Sequence, residues 1–156
     1  MSEEDRFRSA IPKSWKAVWA VAQYIHMKGN RIVEIGPLRI RDNPDNKRGY
    51  GDDADLIVMG PNLNRTNIEV KWRDLEFTSQ YDYPYPTIFI DRASKSDTSS
   101  PHYYFTVNKS MSHVAIIGRE SKDRWIGPRQ YDDRVKGYPV TVYECPKDLA
   151  RFEALK

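Results

Sequence analysis

A single cysteine, Cys145, is all that the 156 residues contain. An internal disulfide and a cysteine-rich zinc site are both excluded, and a reducing, cytoplasmic compartment is expected. No apolar run approaches the length needed to cross a bilayer, so a membrane is not an expected partner. Met-Ser-Glu-Glu-Asp-Arg at the start is acidic and polar, unlike a secretory signal. Histidine is also scarce, with three in the chain and none in a Gly-x-Ser-x-Gly setting, which disfavours a serine- or cysteine-nucleophile hydrolase. A Gly-rich phosphate loop is missing, which argues against a nucleotide triphosphatase. Internal repeats and low-complexity tracts are absent. What is there fits one soluble domain over residues 1–156, with 1–12 as a polar arm.

The apolar spacing predicts an α/β chain. Trp15, Val18, Trp19, Ala22 and Ile25 recur at helical spacing, with Ser14 as N-cap and Gly29 as the residue past the end. Their Trp-rich face is expected to pack on a core. Arg31–Arg41 reads as a strand with a bend at Gly36-Pro37, and residues 42–51 as a loop. Thr87–Asp91, Tyr103–Asn108, Ser112–Arg119 and Tyr138–Glu144 read as strands. Glu120–Gly137 reads as a long charged loop. Pro146 is expected to open a C-terminal helix with Leu149, Phe152 and Leu155 on one stripe.

The chemistry concentrates at Asp55, Glu69 and Lys71. Asp55 opens the apolar strand Leu56-Ile57-Val58-Met59, and Ile68-Glu69-Val70-Lys71-Trp72-Arg73 returns after a short polar turn. Glu69 and Lys71 share a strand face while Val70 points the other way. With the turn centred near Leu63, Asp55 falls opposite Lys71 and diagonal to Glu69. Diagonal neighbours are roughly 7–8 Å apart, close enough for two carboxylates to share one cation. Two carboxylates, a backbone carbonyl and waters suit a hard ion such as Mg²⁺. The apolar flanks imply burial, which is costly for carboxylates unless they are paired or bound to metal. A solvated strand face with cross-strand ion pairs is the competing reading of the same alternation.

Asp55-Leu-Ile-Val followed by Ile68-Glu69-Val70-Lys71 resembles the PD-(D/E)XK, or restriction-endonuclease-like, nuclease superfamily. The resemblance covers roughly Ser14 to Arg73. It implies a mixed central β-sheet flanked by helices, here with extra C-terminal strands and a terminal helix. It implies that Asp55 and Glu69 bind Mg²⁺ (or Mn²⁺), that Val70 lends its backbone carbonyl, and that Lys71 orients or activates the attacking water. Glu34 is a candidate third acid by the same resemblance, and Gln80 a polar site residue after the lysine strand. Asp53 and Arg73 are further candidates beside the three main residues. Two departures stand out: Ala54 replaces the family's proline, and Asp74–Pro86 holds no clear helix after the lysine strand.

A net charge of +3 points only weakly to an acidic partner, so distribution matters more than the sum. One basic cluster holds Arg39, Arg41, Lys47 and Arg48, and a second holds Arg119, Lys122, Arg124, Arg129, Arg134 and Lys136. Lys47, Arg48, Arg124 and Arg129 are the candidate phosphate-backbone contacts. Asp123, Asp132 and Asp133 interleave with the second cluster, so a mixed solvated surface competes with that assignment. Tyr81, Tyr83 and Tyr85 either stack on unpaired bases or cover a sheet edge. The leading expectation is a Mg²⁺-dependent DNA endonuclease, with RNA still open as substrate. Such domains act as homodimers or within larger complexes. The alternatives are a non-catalytic nucleic-acid-binding module and a protein-binding domain with a surface ion-pair network.

Overall fold

A computed structural model gives the fold and describes residues 3–35, 55–60, 62, 64–92, 101–133 and 138–156. One long helix, α1 (Glu3–Met27), leads into β1 (Arg31–Ile35), β2 (Leu56–Met59) and β3 (Arg65–Trp72). Then come β4 (Thr87–Arg92), β5 (Tyr103–Val107) and β6 (His113–Gly118). β7 (Ile126–Asp133), β8 (Tyr138–Pro146) and β9 (Arg151–Ala154) complete the chain. Six strands form one sheet in the order β1-β2-β3-β5-β6-β9, and three form another in the order β4-β8-β7. Among the described residues, β3 and β5 run parallel and the other pairs are antiparallel. The architecture is mixed α/β.

Both faces of the six-stranded sheet are covered, and strand alternation decides what goes where. Leu56, Val58, Ile68 and Val70 face α1, together with Phe105, Val107, Val114 and Ile116. They pack on Ala17, Val18, Val21, Ala22 and Ile25 of the helix. Tyr104, Ala115 and Ile117 face the other way and meet Ile88, Ile90 and Cys145 of the smaller sheet. Burial of Cys145 among these groups pushes its thiol up to about 11. Glu69 and Lys71, odd-numbered like Ile57, therefore lie on the side where the two sheets meet.

The helix ends as its sequence foretells. Gly29 takes φ +88, Asn30 N–H donates to Ile25 C=O, and Gly29 N–H donates to His26 C=O. This double closure satisfies carbonyls left over at the helix end. The start differs from expectation. The helix begins at Glu3, so Ser14 is not its cap and Pro12 lies inside it. Pro12 removes one intrahelical hydrogen bond without ending the helix. The tryptophans also differ: Trp15 and Trp19 are 37% and 51% exposed, and the core face belongs to smaller residues.

Two later expectations are corrected. Residues 119–124 form a 3₁₀ turn, and β7 occupies residues 126–133 of the expected charged loop. The expected C-terminal helix is a short 3₁₀ turn followed by β9, which pairs with the edge of β6. Residues three apart lie together on a helix but on opposite sides of a strand. Here both sides have a core. Phe152 meets Phe77 and Tyr83 between the sheets, while Leu155 enters the cluster under α1.

The parallel β3–β5 connection passes through β4, and the segment between β3 and β4 is firmly fastened. Asn108 Nδ2 donates to Phe77 C=O at 3.0 Å. Phe77 and Tyr83 are buried between the sheets. Asp82 accepts from Thr78 Oγ1 at 2.7 Å, from Thr78 N–H at 2.9 Å and from Ser79 N–H at 2.8 Å. The Thr78 hydroxyl and then these amides pull the Asp82 carboxyl down to about 2. Because the folded value is depressed, the contribution is present above the unfolded value of 3.8 and lost as pH falls toward about 2. An NMR titration should give Asp82 a midpoint near 2, with the Thr78 and Ser79 amide shifts following it; a midpoint at 3.8 or higher would contradict the turn.

Candidate active site between the two sheets

The β2–β3 hairpin builds the first half of the site. Its register pairs Leu56 with Ile68 and Val58 with Thr66, so the turn is centred on Asn62 rather than Leu63. Extending that register by one step sets Asp55 across from Glu69, and diagonal to Lys71. The turn centre moves by one residue, so the facing residue shifts by two, from Lys71 to Glu69, and the two acids come closer in register than anticipated. Asp55 N–H donates to Ile68 C=O at 3.1 Å. Asp55 Oδ2 accepts Val70 N–H at 2.7 Å, the short length of a charge-assisted bond. Val70 therefore directs its backbone polar groups, carbonyl included, toward the Asp55 side of β3.

Glu69 is 4% exposed and Lys71 reaches it along the strand, with Nζ 3.1 Å from Oε1. Nζ also lies 3.7 Å from Oδ1 of Asp91, which comes from β4 of the other sheet. By register, buried Thr106 on β5 stands beside Lys71. Burial alone would favour the neutral amine. The charges of Glu69, Asp91 and Asp55, in that order, outweigh it and hold the ammonium above the ordinary lysine range. Folding raises this value, so the stabilisation is complete below 10.5 and fades as pH climbs through the folded value. Among the described residues, three carboxylates act on the Lys71 ammonium.

The other candidates fare differently. Arg73 follows Lys71 on the same side of β3, and its guanidinium lies 5.9 Å from the Phe89 ring, a cation–π distance. Gln80 is half-buried in the turn between Ser79 and Asp82 and is not among the groups that reach Lys71. Arg124 is exposed at the end of the 3₁₀ turn. Arg129 gives Nε and Nη2 to buried Glu144, which also accepts Thr87 Oγ1 at 2.9 Å. Its head is therefore committed to an internal ion pair. Of the three tyrosines, Tyr83 is core, while Tyr81 and Tyr85 are exposed. Asp53, Lys47 and Arg48 lie outside the described residues, as does the side chain of Glu34, whose backbone sits on β1 across from Ile57.

Asp91 was missed from sequence. The signal was present, because Asp91 closes an apolar strand just as Asp55 opens one. Among the described residues, no three His, Cys, Asp or Glu side chains form a metal cage by themselves. The donor set nonetheless fits a magnesium-like ion. Mg²⁺ keeps several waters and is commonly held by one or two carboxylates together with substrate phosphates. Asp55 and Glu69 are the carboxylates that such an ion would use. No helix among the described residues is long and apolar enough to cross a membrane. Comparison with family models, curated proteins and solved structures returned no match.

Replacing Lys71 by Met leaves buried Glu69 without its ammonium and should cost about 3 kcal/mol in urea unfolding without added metal. Combined with Glu69→Gln, the double substitution should cost less than the sum of the singles, with a coupling of about 1–3 kcal/mol. Additive losses would contradict the buried pair.

Proposed function

We propose that the chain is a metal-dependent endonuclease that hydrolyses DNA phosphodiester bonds, of PD-(D/E)XK type. One observation carries the proposal: Asp55, Glu69 and Lys71 converge on one side of a hairpin, with both acids acting on the lysine. The resemblance in sequence and this convergence are independent supports. An ion-pair network made only for stability is a weak explanation, because buried charge pairs rarely stabilise more than apolar residues of the same size.

The division of labour follows from the side chains. Asp55 and Glu69 would hold the cation, with the Val70 carbonyl on the same side as Asp55. A bound Mg²⁺ supplies positive charge at the phosphate and lowers the pKa of a bound water. Lys71 is charged at neutral pH, so it donates hydrogen bonds and does not act as the base. Its place is against the attacking water or a phosphate oxygen, where it offsets the charge that builds in the transition state. The water oxygen bonds to phosphorus, one phosphorus–oxygen ester bond breaks, the departing alkoxide takes a proton from solvent, and the attacking water gives up its proton to solvent. Arg73, one same-side step along β3, is suited to a neighbouring phosphate.

A second reading is a nucleic-acid-binding module without hydrolysis. It is favoured by the ammonium that already lies between Glu69 and Asp91. One assay separates the two. Plasmid, linear, single-stranded and branched DNA are incubated with Mg²⁺ or Mn²⁺ and wild type, Asp55→Ala or Lys71→Ala. The endonuclease reading expects metal-dependent cutting that each substitution lowers about a hundredfold or more while the fold survives. Equal activity in the variants rejects the site. Binding that weakens steeply with salt, without any cutting, selects the module.

A further inference from the structure

The smaller sheet enters the site through one irregularity. β4 sends Ile88 and Ile90 into the core between the sheets. Strict alternation would then send Asp91 to the opposite side. The pairing with β8 prevents this. Phe89 stands across from Glu144, yet Asp91, two residues on, stands across from Tyr143, so the register slips by one between them. Tyr143 packs on the intersheet cluster. The slip therefore turns Asp91 to the inner side, where it meets Lys71.

Such a bulge breaks the ladder locally, and bulges beside functional sites serve to re-aim a side chain. Here the side chain delivered is a carboxylate, 9% exposed, in a place where an apolar residue would pack at least as well. Stability of the sheet packing does not call for it. The geometry at Nζ does. Glu69 sits on the same strand as Lys71 and pulls the amine along that strand, whereas Asp91 pulls from the other sheet. Two acids on two sheets fix both the reach and the direction of a flexible four-carbon stem. An ammonium has three donors; Glu69 takes one at 3.1 Å and Asp91 attracts the charge from 3.7 Å, so donors remain for a substrate oxygen.

We propose that Asp91 is a positioning residue: delivered by the β4 bulge, it clamps the Lys71 ammonium against Glu69 and aims it at the reacting phosphate. This rests on the phosphodiesterase reading of the site. Asp91 itself does not touch substrate. The smaller sheet is then part of the catalytic apparatus and not only a cover for the core.

The test joins side-chain dynamics to kinetics. NMR relaxation at the Lys71 ε-carbon is measured in wild type, Asp91→Asn, Asp91→Leu and Asp91→Glu, alongside kcat and KM for DNA cleavage. Leu matches the apolar neighbours Ile88 and Ile90 and guards against misfolding of the Asn variant. The clamp predicts a more mobile Lys71 tip in the Asn and Leu variants. It predicts a kcat lowered about 10- to 100-fold with KM within about twofold. Asp91→Glu should recover much of the rigidity and part of kcat. A Lys71 tip as rigid in both neutral variants as in wild type overturns the proposal. So does an unchanged kcat in variants whose lysine has been released. If wild type cuts no substrate, the relaxation data still decide: release in the neutral variants and recovery with Glu uphold the clamp, while the phosphodiesterase reading fails.

Discussion

An ammonium held between carboxylates, in the space where two sheets meet, is the constraint around which the functional part of this fold is arranged. Lys71 and Glu69 leave the same side of β3, and Asp91 approaches from β4. Neither acid is well hydrated, so each depends on a nearby cation. Among the described residues, three carboxylates act on the Lys71 ammonium, and the proposed function would add a cation to them. Under the proposed function, this is where a cation and a phosphate would be received.

The surroundings supply rigidity. Val70 N–H pins Asp55, and the β3–β5 ladder runs alongside Glu69 and Lys71. α1 seals the opposite side of the sheet with aliphatic residues. The segment between β3 and β4 is anchored by Phe77 and Tyr83, so the two sheets cannot drift apart without opening that core. Passing the parallel crossover through β4 has a chemical consequence. A helix at this point would bury an apolar stripe against the sheet, whereas a bulged edge strand can present a carboxylate to it.

Much of the site was legible because its signals are local. An acid before a four-residue apolar run and an acid–apolar–base triplet on the return strand fix which residues share a side. The glycine closing α1 and the strand character of β4, β5, β6 and β8 were legible for the same reason. The parts that were not legible depend on partners far along the chain. The β2–β3 register turns on a one-residue difference in where the turn is centred. Trp15 and Trp19 fall at helical spacing, yet smaller residues won the core positions. Leu149, Phe152 and Leu155 have a spacing that serves a helix or a strand with a core on each side, and pairing with β6 selected the strand. Asp91 was hidden because a bulge breaks the alternation from which its direction would be read.

The most direct measurement of the central claim is Mn²⁺ binding followed by electron paramagnetic resonance on the whole chain. Wild type should take up the ion at a saturable site in competition with Mg²⁺. A variant carrying Asp55→Asn and Glu69→Gln together should leave the free-ion signal undiminished while its circular dichroism stays that of wild type. Undiminished free ion with wild type, or equal uptake by the double variant, would contradict the account.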